Sequence, residues 1–487
     1  MKKLFLLVNL LILVSSGVKS QSKLSLSKQE MYADFDSLIS SIRHNSPHLY
    51  IKKDLWNYDA LAALNAQRMC IDTISSDFSY YLLLRRVFNL TLDMHTSILG
   101  GEDWSNTMLS EYNRVRSAFK FSLGNVYVDG KYRISNPVVC GKDTIPMGAV
   151  ITHIHGIPVN EYVKKNLGSR YGYAYDAAHQ NFYFTGFFKD DNSIFMDSLR
   201  FVIEQDGKKK KYSFSTKNFT QFLPSKSTNK SDTARIAYWQ PEQILYIRVP
   251  AMDANKIPFF SESIRSYRDK AGDIKKVILD FRGNPGGEDT VWMSMFSELI
   301  PNNIRFQLKL DDRDSSSINK PILAGHGMPQ KPLRPETNPV LRNYGFNVIV
   351  ENTDSLTVSA TSIRFPGKIY VLYEDNYSAA SSSLTIVNAS MEDNLVSIGR
   401  SSDYFLGMGL SPIQFVLPNT KLRYRIAPSI DATNVVELRD ILHNRLEIEV
   451  PKTMQEAIDR FNYPGDLSEK NFLLNYDPVI REILTRK

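Results

Sequence analysis

Apolar residues recur at intervals of three and four through Met31, Phe35, Leu38, Ile39 and Ile42, and again from Tyr80 to Phe88. That period predicts helices with one buried face over Ser27 to about Leu99. From about Val115 to Ser215 the pattern shifts to short, aromatic-rich alternation, as in Lys120-Phe121-Ser122-Leu123 and Phe201-Val202-Ile203-Glu204, cut by Gly and Asp turns. These are the marks of strands. Beyond the polar stretch Ser225 to Ser231, apolar runs and helical patterns alternate: a strand at Ile244–Val249, a helix at Phe259–Lys270, a buried strand at Val277–Phe281 and a helix at Thr290–Leu299. Ile369–Tyr373, Ser378–Met391 and Leu395–Gly399 repeat strand, helix, strand. An α/β, multi-domain fold follows.

The expected division is a signal segment at 1–20, a helical segment at 21–110, a β-rich domain at 111–220, a linker at 221–232, an α/β core at 233–466 and a C-terminal helical tail at 467–487. Residues 311–363, polar and Pro-rich, read as an insertion over the core. At 487 residues the chain exceeds what one hydrophobic core supports, which agrees with several units. Lys2 and Lys3 precede the apolar run Leu4–Val14 and a small, polar stretch, with Val18 and Ser20 ahead of a cut near Gln21. The run is too short to span a bilayer, so it reads as an export signal, with the mature chain periplasmic or extracellular and holding no membrane span. No Cys lies near the cut, which argues against a lipid anchor.

The formal charge of +7 falls to +4 once Lys2, Lys3 and Lys19 leave with that segment, which does not point to nucleic acid. Lys208 to Lys211 read as a solvated hairpin tip after Asp206-Gly207. Cys70 and Cys140 could pair outside the cytoplasm, but no Cys or His cluster has metal-ligand spacing. No metal or organic cofactor is therefore expected.

Three features could carry chemistry. Asp280-Phe281-Arg282-Gly283-Asn284-Pro285-Gly286-Gly287 is a glycine turn leaving a buried strand, suited to aiming backbone N–H groups at an oxyanion. It lacks the Lys-Ser or Lys-Thr of a phosphate loop and the spacing of a dinucleotide site. Asp375-Asn376-Tyr377-Ser378-Ala379-Ala380 sets a serine among small neighbours where a strand passes into a helix, a place for a nucleophile or an ordinary helix cap. Leu92-Asp93-Met94-His95-Thr96 offers a histidine flanked by a carboxylate and a hydroxyl, at a helix-to-loop transition. Serine needs such a base.

Together the three resemble the C-terminal processing and tricorn-type serine peptidases, over most of Ser27 to about Ile430. The glycine turn is similar to theirs, Tyr377-Ser378-Ala379-Ala380 to their nucleophile turn, and Asp93-Met94-His95-Thr96 to the Asp-x-His-Thr element of the tricorn-like branch. Ile145 to Val159 resembles a PDZ strand and turn. The resemblance implies a crotonase-like core, Ser378 as nucleophile, His95 as base, and an oxyanion hole from Gly286, Gly287 and Ala379. Two departures stand out. Met408 occupies the place of the processing branch's catalytic Lys, and Ser381 that of a Glu three residues after the nucleophile. Ser381 and Ser382 are therefore alternative nucleophiles, and Asp431 is a candidate to orient His95. The implied activity is hydrolysis of peptide bonds in exported polypeptides or their fragments. A peptide-binding homologue that has lost its chemistry is the alternative. An acyl-thioester enzyme would share the core, but the export signal and PDZ-like stretch disfavour it. The substrate and any oligomeric state are not legible.

Overall fold

The computed structural model describes residues 24–228, 233–312, 334–374, 381–389, 394–401, 412–441 and 445–486. Its contacts divide the chain into two units. The segment 1–20, expected to be an export signal, lies outside the described residues, as does part of the expected insertion.

The first unit runs to Pro224 and takes back residues 412–429 from late in the chain. The first helix among its described residues, α1 (Lys28–Asn45), opens with a reciprocal cap, in which Ser27 Oγ accepts from the Glu30 N–H and the Glu30 carboxylate accepts from the Ser27 N–H. The residues at helical spacing, Met31, Phe35, Leu38, Ile39 and Ile42, are all buried. Two more helices matter for the site, α2 (Lys52–Trp56) and α3 (Asp77–Leu90). After α3 the strand Ser97–Gly101 pairs antiparallel with Leu422–Ile426, so the two ends of this unit close one sheet.

The aromatic-rich segment forms a larger sheet in the order Gly186–Phe187, Gly124–Val128, Lys131–Ile134, Val150–Ile154, Ser198–Gln205, Lys208–Ser215. Two expectations are corrected here. Lys120–Leu123 is not a strand: it runs beside the chain turn at Thr216, whose carbonyl accepts from both the Lys120 and Phe121 N–H groups. Lys208–Lys211 are not the hairpin tip but the start of the last strand, because Asp206 and Gly207 alone adopt the positive φ values (+49° and +72°) that a two-residue turn requires. All four lysines are exposed on an edge strand, where charge opposes pairing with a second sheet.

The second unit holds the α/β core. Six strands lie in chain order: β1 (Arg235–Trp239), β2 (Ile244–Arg248), β3 (Lys276–Asp280), β4 (Lys368–Tyr373), β5 (Leu395–Gly399) and β6 (Ile448–Glu449). Only β1 is antiparallel to its neighbour. Alternate residues of each strand serve opposite faces. Val277 and Leu279 pack with Phe260, Trp292 and Phe296, while Ile278, Leu372 and Ile398 pack with Phe472, Val479, Ile480 and Ile483. Burial on both sides explains why these strands read as unbroken apolar runs. The two helices of the C-terminal segment, Lys470–Asn475 and Pro478–Thr485, thus cover one face of the sheet.

Candidate active site

The glycine turn leaves the carboxyl end of β3. Asp280, 2% exposed, is its anchor: Arg282 binds the carboxylate through Nε (2.9 Å) and Nη2 (2.7 Å), the Tyr246 hydroxyl donates at 2.8 Å, and Arg248 lies at 3.6 Å. Burial alone would raise the Asp280 pKa, but these partners hold it well below the usual carboxylate range. Arg282 Nη1 reaches on to Asp477 at 2.7 Å, at the N-cap of the terminal helix, so a pairing across 195 residues pins the base of the turn.

The rest of the turn is held by Asn284, which is fully buried. Its Nδ2 donates to the Val249 carbonyl (3.0 Å) and its Oδ1 accepts from the Gly286 N–H (2.8 Å). Met252 then clasps the tip, donating its N–H to the Gly286 carbonyl (3.0 Å) and accepting the Glu288 N–H (2.9 Å). Gly286 and Gly287 sit at φ +118° and +137°, and a Cβ at Gly287 would lie 2.0 Å from the Met252 carbonyl oxygen. Only glycine fits so close to another backbone. Gly286 and Gly287 were expected to act alike, yet the Gly286 N–H is already engaged by Asn284, whereas Gly287 is exposed at the tip.

His95 lies in the first unit, in the turn between α3 and the strand Ser97–Gly101. The turn is organised by Asp93, 4% exposed: Oδ1 accepts the His95 N–H (2.8 Å), and Oδ2 accepts the Thr96 hydroxyl and His48 Nε2 (3.1 Å). His95 Nδ1 is buried 3.8 Å from Asp93 Oδ1, beyond hydrogen-bond length, and has no hydrogen-bond partner among the described residues. Its side chain keeps 26% of its surface exposed. Burial lowers the His95 pKa, Asp93 opposes that, and Arg425 adds to it, so the ring is neutral and able to accept a proton near pH 7. Burial would raise Asp93, but His48, His95 and Lys52 keep it well below the ordinary carboxylate value.

Ser378, Ala379 and Met408 lie outside the described residues. β4 ends at Tyr373 and a helix begins at Ser381, so Ser378 falls in the stretch between them; Ser381 and Ser382 open that helix. The next serine, Ser383, is buried against the Tyr373 hydroxyl at 3.0 Å. Asp431 lies in the second unit and accepts the Thr433 N–H at 2.9 Å. Cys70 and Cys140 are free thiols. Sequence reasoning passed over His48 and Lys52, both fully buried behind His95, and the Arg282–Asp477 pair. The only sequence signal for Lys52 was a lysine among the apolar residues Leu49, Ile51, Leu55 and Trp56.

Residues 243–430 match the model of Peptidase family S41. No curated protein matches the chain. Among solved structures, mature CPAF aligns with a TM-score of 0.56 at 11% identity, over 94% of this chain and 98% of that one. Mature CPAF complexed with lactacystin gives 0.55 at 11% identity, over 89% and 96%. These likenesses establish a shared mixed α/β, multi-domain fold. With the family match over the core, they bear out the resemblance to the C-terminal processing peptidases.

Proposed function

We propose that this chain, a serine-type peptidase with peptide or protein substrates, cleaves exported polypeptides or their fragments with Ser378 as nucleophile and His95 as base. Ser378 Oγ attacks the scissile carbonyl carbon while its proton passes to His95 Nε2, the ring nitrogen away from Asp93. The oxyanion is met by the N–H of Gly287, with Ala379 as second donor; Gly286 shapes the loop through Asn284. His95 then returns the proton to the leaving amine, and water repeats the sequence to release the acyl group. Asp93, whose carboxylate lies 3.8 Å from Nδ1 without a hydrogen bond to it, favours by its charge the tautomer that leaves Nε2 free to accept, the orienting role for which Asp431 was the candidate.

The observation that carries this reading is the clasped glycine turn: a tip of two residues at positive φ, locked by Met252, above a buried ion network at the carboxyl end of a parallel strand. A rigid donor of this kind can contribute roughly 3 kcal/mol to the barrier, whereas a flexible loop would lose that in reorganisation. Labelling by a fluorophosphonate tests it. Wild type should label at Ser378, and Ser378→Ala and His95→Ala should not, with the double variant little worse than either, since groups acting as one unit are non-additive. Met408→Ala should label normally. A wild-type chain unlabelled across pH 6–9 sinks the peptidase reading, and label on Ser381 or Ser382 moves the nucleophile.

A further inference from the structure

Behind the His95 turn lies a buried cation that the mechanism above does not use. Lys52, on α2, has no exposed surface, and its Nζ donates to the carbonyls of Thr91 (2.7 Å) and Leu92 (2.9 Å). These are the carbonyls that leave the end of α3, where a cation complements the helix dipole. Leu92 sits there at φ +51°, a conformation a branched side chain rarely adopts, so the backbone at this point is held by its partners. Next to it His48, also fully buried, gives Asp93 its 3.1 Å hydrogen bond. The stretch from Thr91 to Thr96 is thus gripped at two carbonyls by Lys52 and at one carboxylate by His48. Taking a lysine and a carboxylate out of water is a poor route to stability, since well-packed apolar groups commonly serve as well. What the ions add is direction.

We infer that Lys52 and His48 are positioning residues for His95, fixing the backbone before it and the Asp93 carboxylate beside it so that the ring is presented in one place and one tautomer. The inference rests on the reading of His95 as the base. It has a consequence for pH. Among the described residues, the groups that face the cluster are Asp93, His95, His48 and Lys52 themselves, Arg425 from the strand Leu422–Ile426, Tyr171, whose hydroxyl donates to the Met94 carbonyl, and Tyr58, whose hydroxyl donates to the Leu90 carbonyl. Burial, opposed by Asp93, brings Lys52 down to about 7, and burial with the Lys52 charge brings His48 down to about 4, so His48 is neutral and donates through Nε2–H. As the pH rises past neutrality, Lys52 loses its charge, its bonds to the two carbonyls weaken, and Asp93 loses a counter-charge. Activity should rise with deprotonation of His95 and fall again with deprotonation of Lys52.

The test is the rate of fluorophosphonate labelling from pH 5 to 10, read beside thermal unfolding so that only folded protein is counted. Lys52→Met should label roughly tenfold more slowly or worse at the optimum, as a displaced base does. It should also lose the alkaline fall and shift the acid limb upward, because Asp93 is no longer balanced. His48→Gln, whose amide keeps a donor for Asp93, should stay within about threefold of wild type, and His48→Leu should be about tenfold slower. A helix cap with no further role would lower the unfolding temperature and leave both limbs in place. Folded Lys52→Met with a wild-type rate and an intact alkaline limb overturns the inference. Should that variant not fold, equal rates for His48→Gln and His48→Leu overturn it. His95→Ala separates the two levels: if it labels like wild type, the assignment of the base fails, and if it is silent while Lys52→Met is unaffected, only the positioning role fails.

Discussion

Replacing Gly287 by Ala tests whether the glycine turn acts through its rigidity. The added Cβ would stand 2.0 Å from the Met252 carbonyl oxygen and 2.7 Å from its carbon, where side-chain carbons are not found closer than 3.0 Å. To reach that limit the tip must move by about 1 Å, and at φ +137° an alanine backbone is strained in addition, by about 1–3 kcal/mol. A displacement of that size costs roughly a hundredfold in rate. Loss of one oxyanion donor costs about 2.7–4 kcal/mol, or 10²–10³-fold, so two independent routes give the same magnitude. Gly283→Ala is the control. It too has a positive φ (+68°), but its Cβ would meet only Arg248 Nη2 at 3.9 Å. It should lose about 1–2 kcal/mol of stability and keep most of its turnover. Steady-state turnover of a fluorogenic peptide, with thermal unfolding of each variant, decides the matter. Gly287→Ala within threefold of wild type, or Gly283→Ala as impaired as Gly287→Ala, refutes the argument.

Acid should weaken the first unit through His48: the unfolded chain takes up a proton below about 6.5 and the folded one only near 4, so stability falls as pH drops through that window, by about 3 kcal/mol in all. Denaturant unfolding from pH 7 to 4 would show a flatter decline in His48→Gln, and an unchanged slope would count against the buried, neutral imidazole. Asp477→Ala removes the Arg282 partner and the cap on the Val479 and Ile480 N–H groups. It should cost about 4 kcal/mol or more, and a loss under 1 kcal/mol in a melt would mean the pair is idle. Replacing Lys208 to Lys211 by Ala should leave turnover unchanged but promote association, seen by light scattering, because an edge strand loses its charge. A tenfold fall in turnover would instead tie the strand to the site.

Much of the fold was legible because it follows from local pattern. The α1 spacing returned five buried residues, and the uniform apolar runs of β3 and β4 were strands covered on both sides. The glycine turn was legible for the same reason, since its backbone demands glycine at the tip. What sequence could not reveal was pairing over distance. Nothing at Arg282 points to Asp477, and nothing in α2 marks Lys52 as the cap of a helix that ends near residue 90. Lys120–Leu123 has the alternation of a strand, but its neighbours offer a single carbonyl at Thr216 where a ladder would need several.

The sheet that joins Ser97–Gly101 to Leu422–Ile426 bears on how the protein is made. Ser97 pairs with Arg425, 328 residues later, and the Ser97 hydroxyl accepts from that arginine's Nε at 3.0 Å. During synthesis at about 5–20 residues per second, the strand after His95 waits roughly 15–65 s for its partner to emerge. Arg425, which helps set the proton affinity of His95, is missing throughout that interval. The first unit is begun early and finished among the last, so a nascent chain carries the histidine long before it carries the surroundings that tune it.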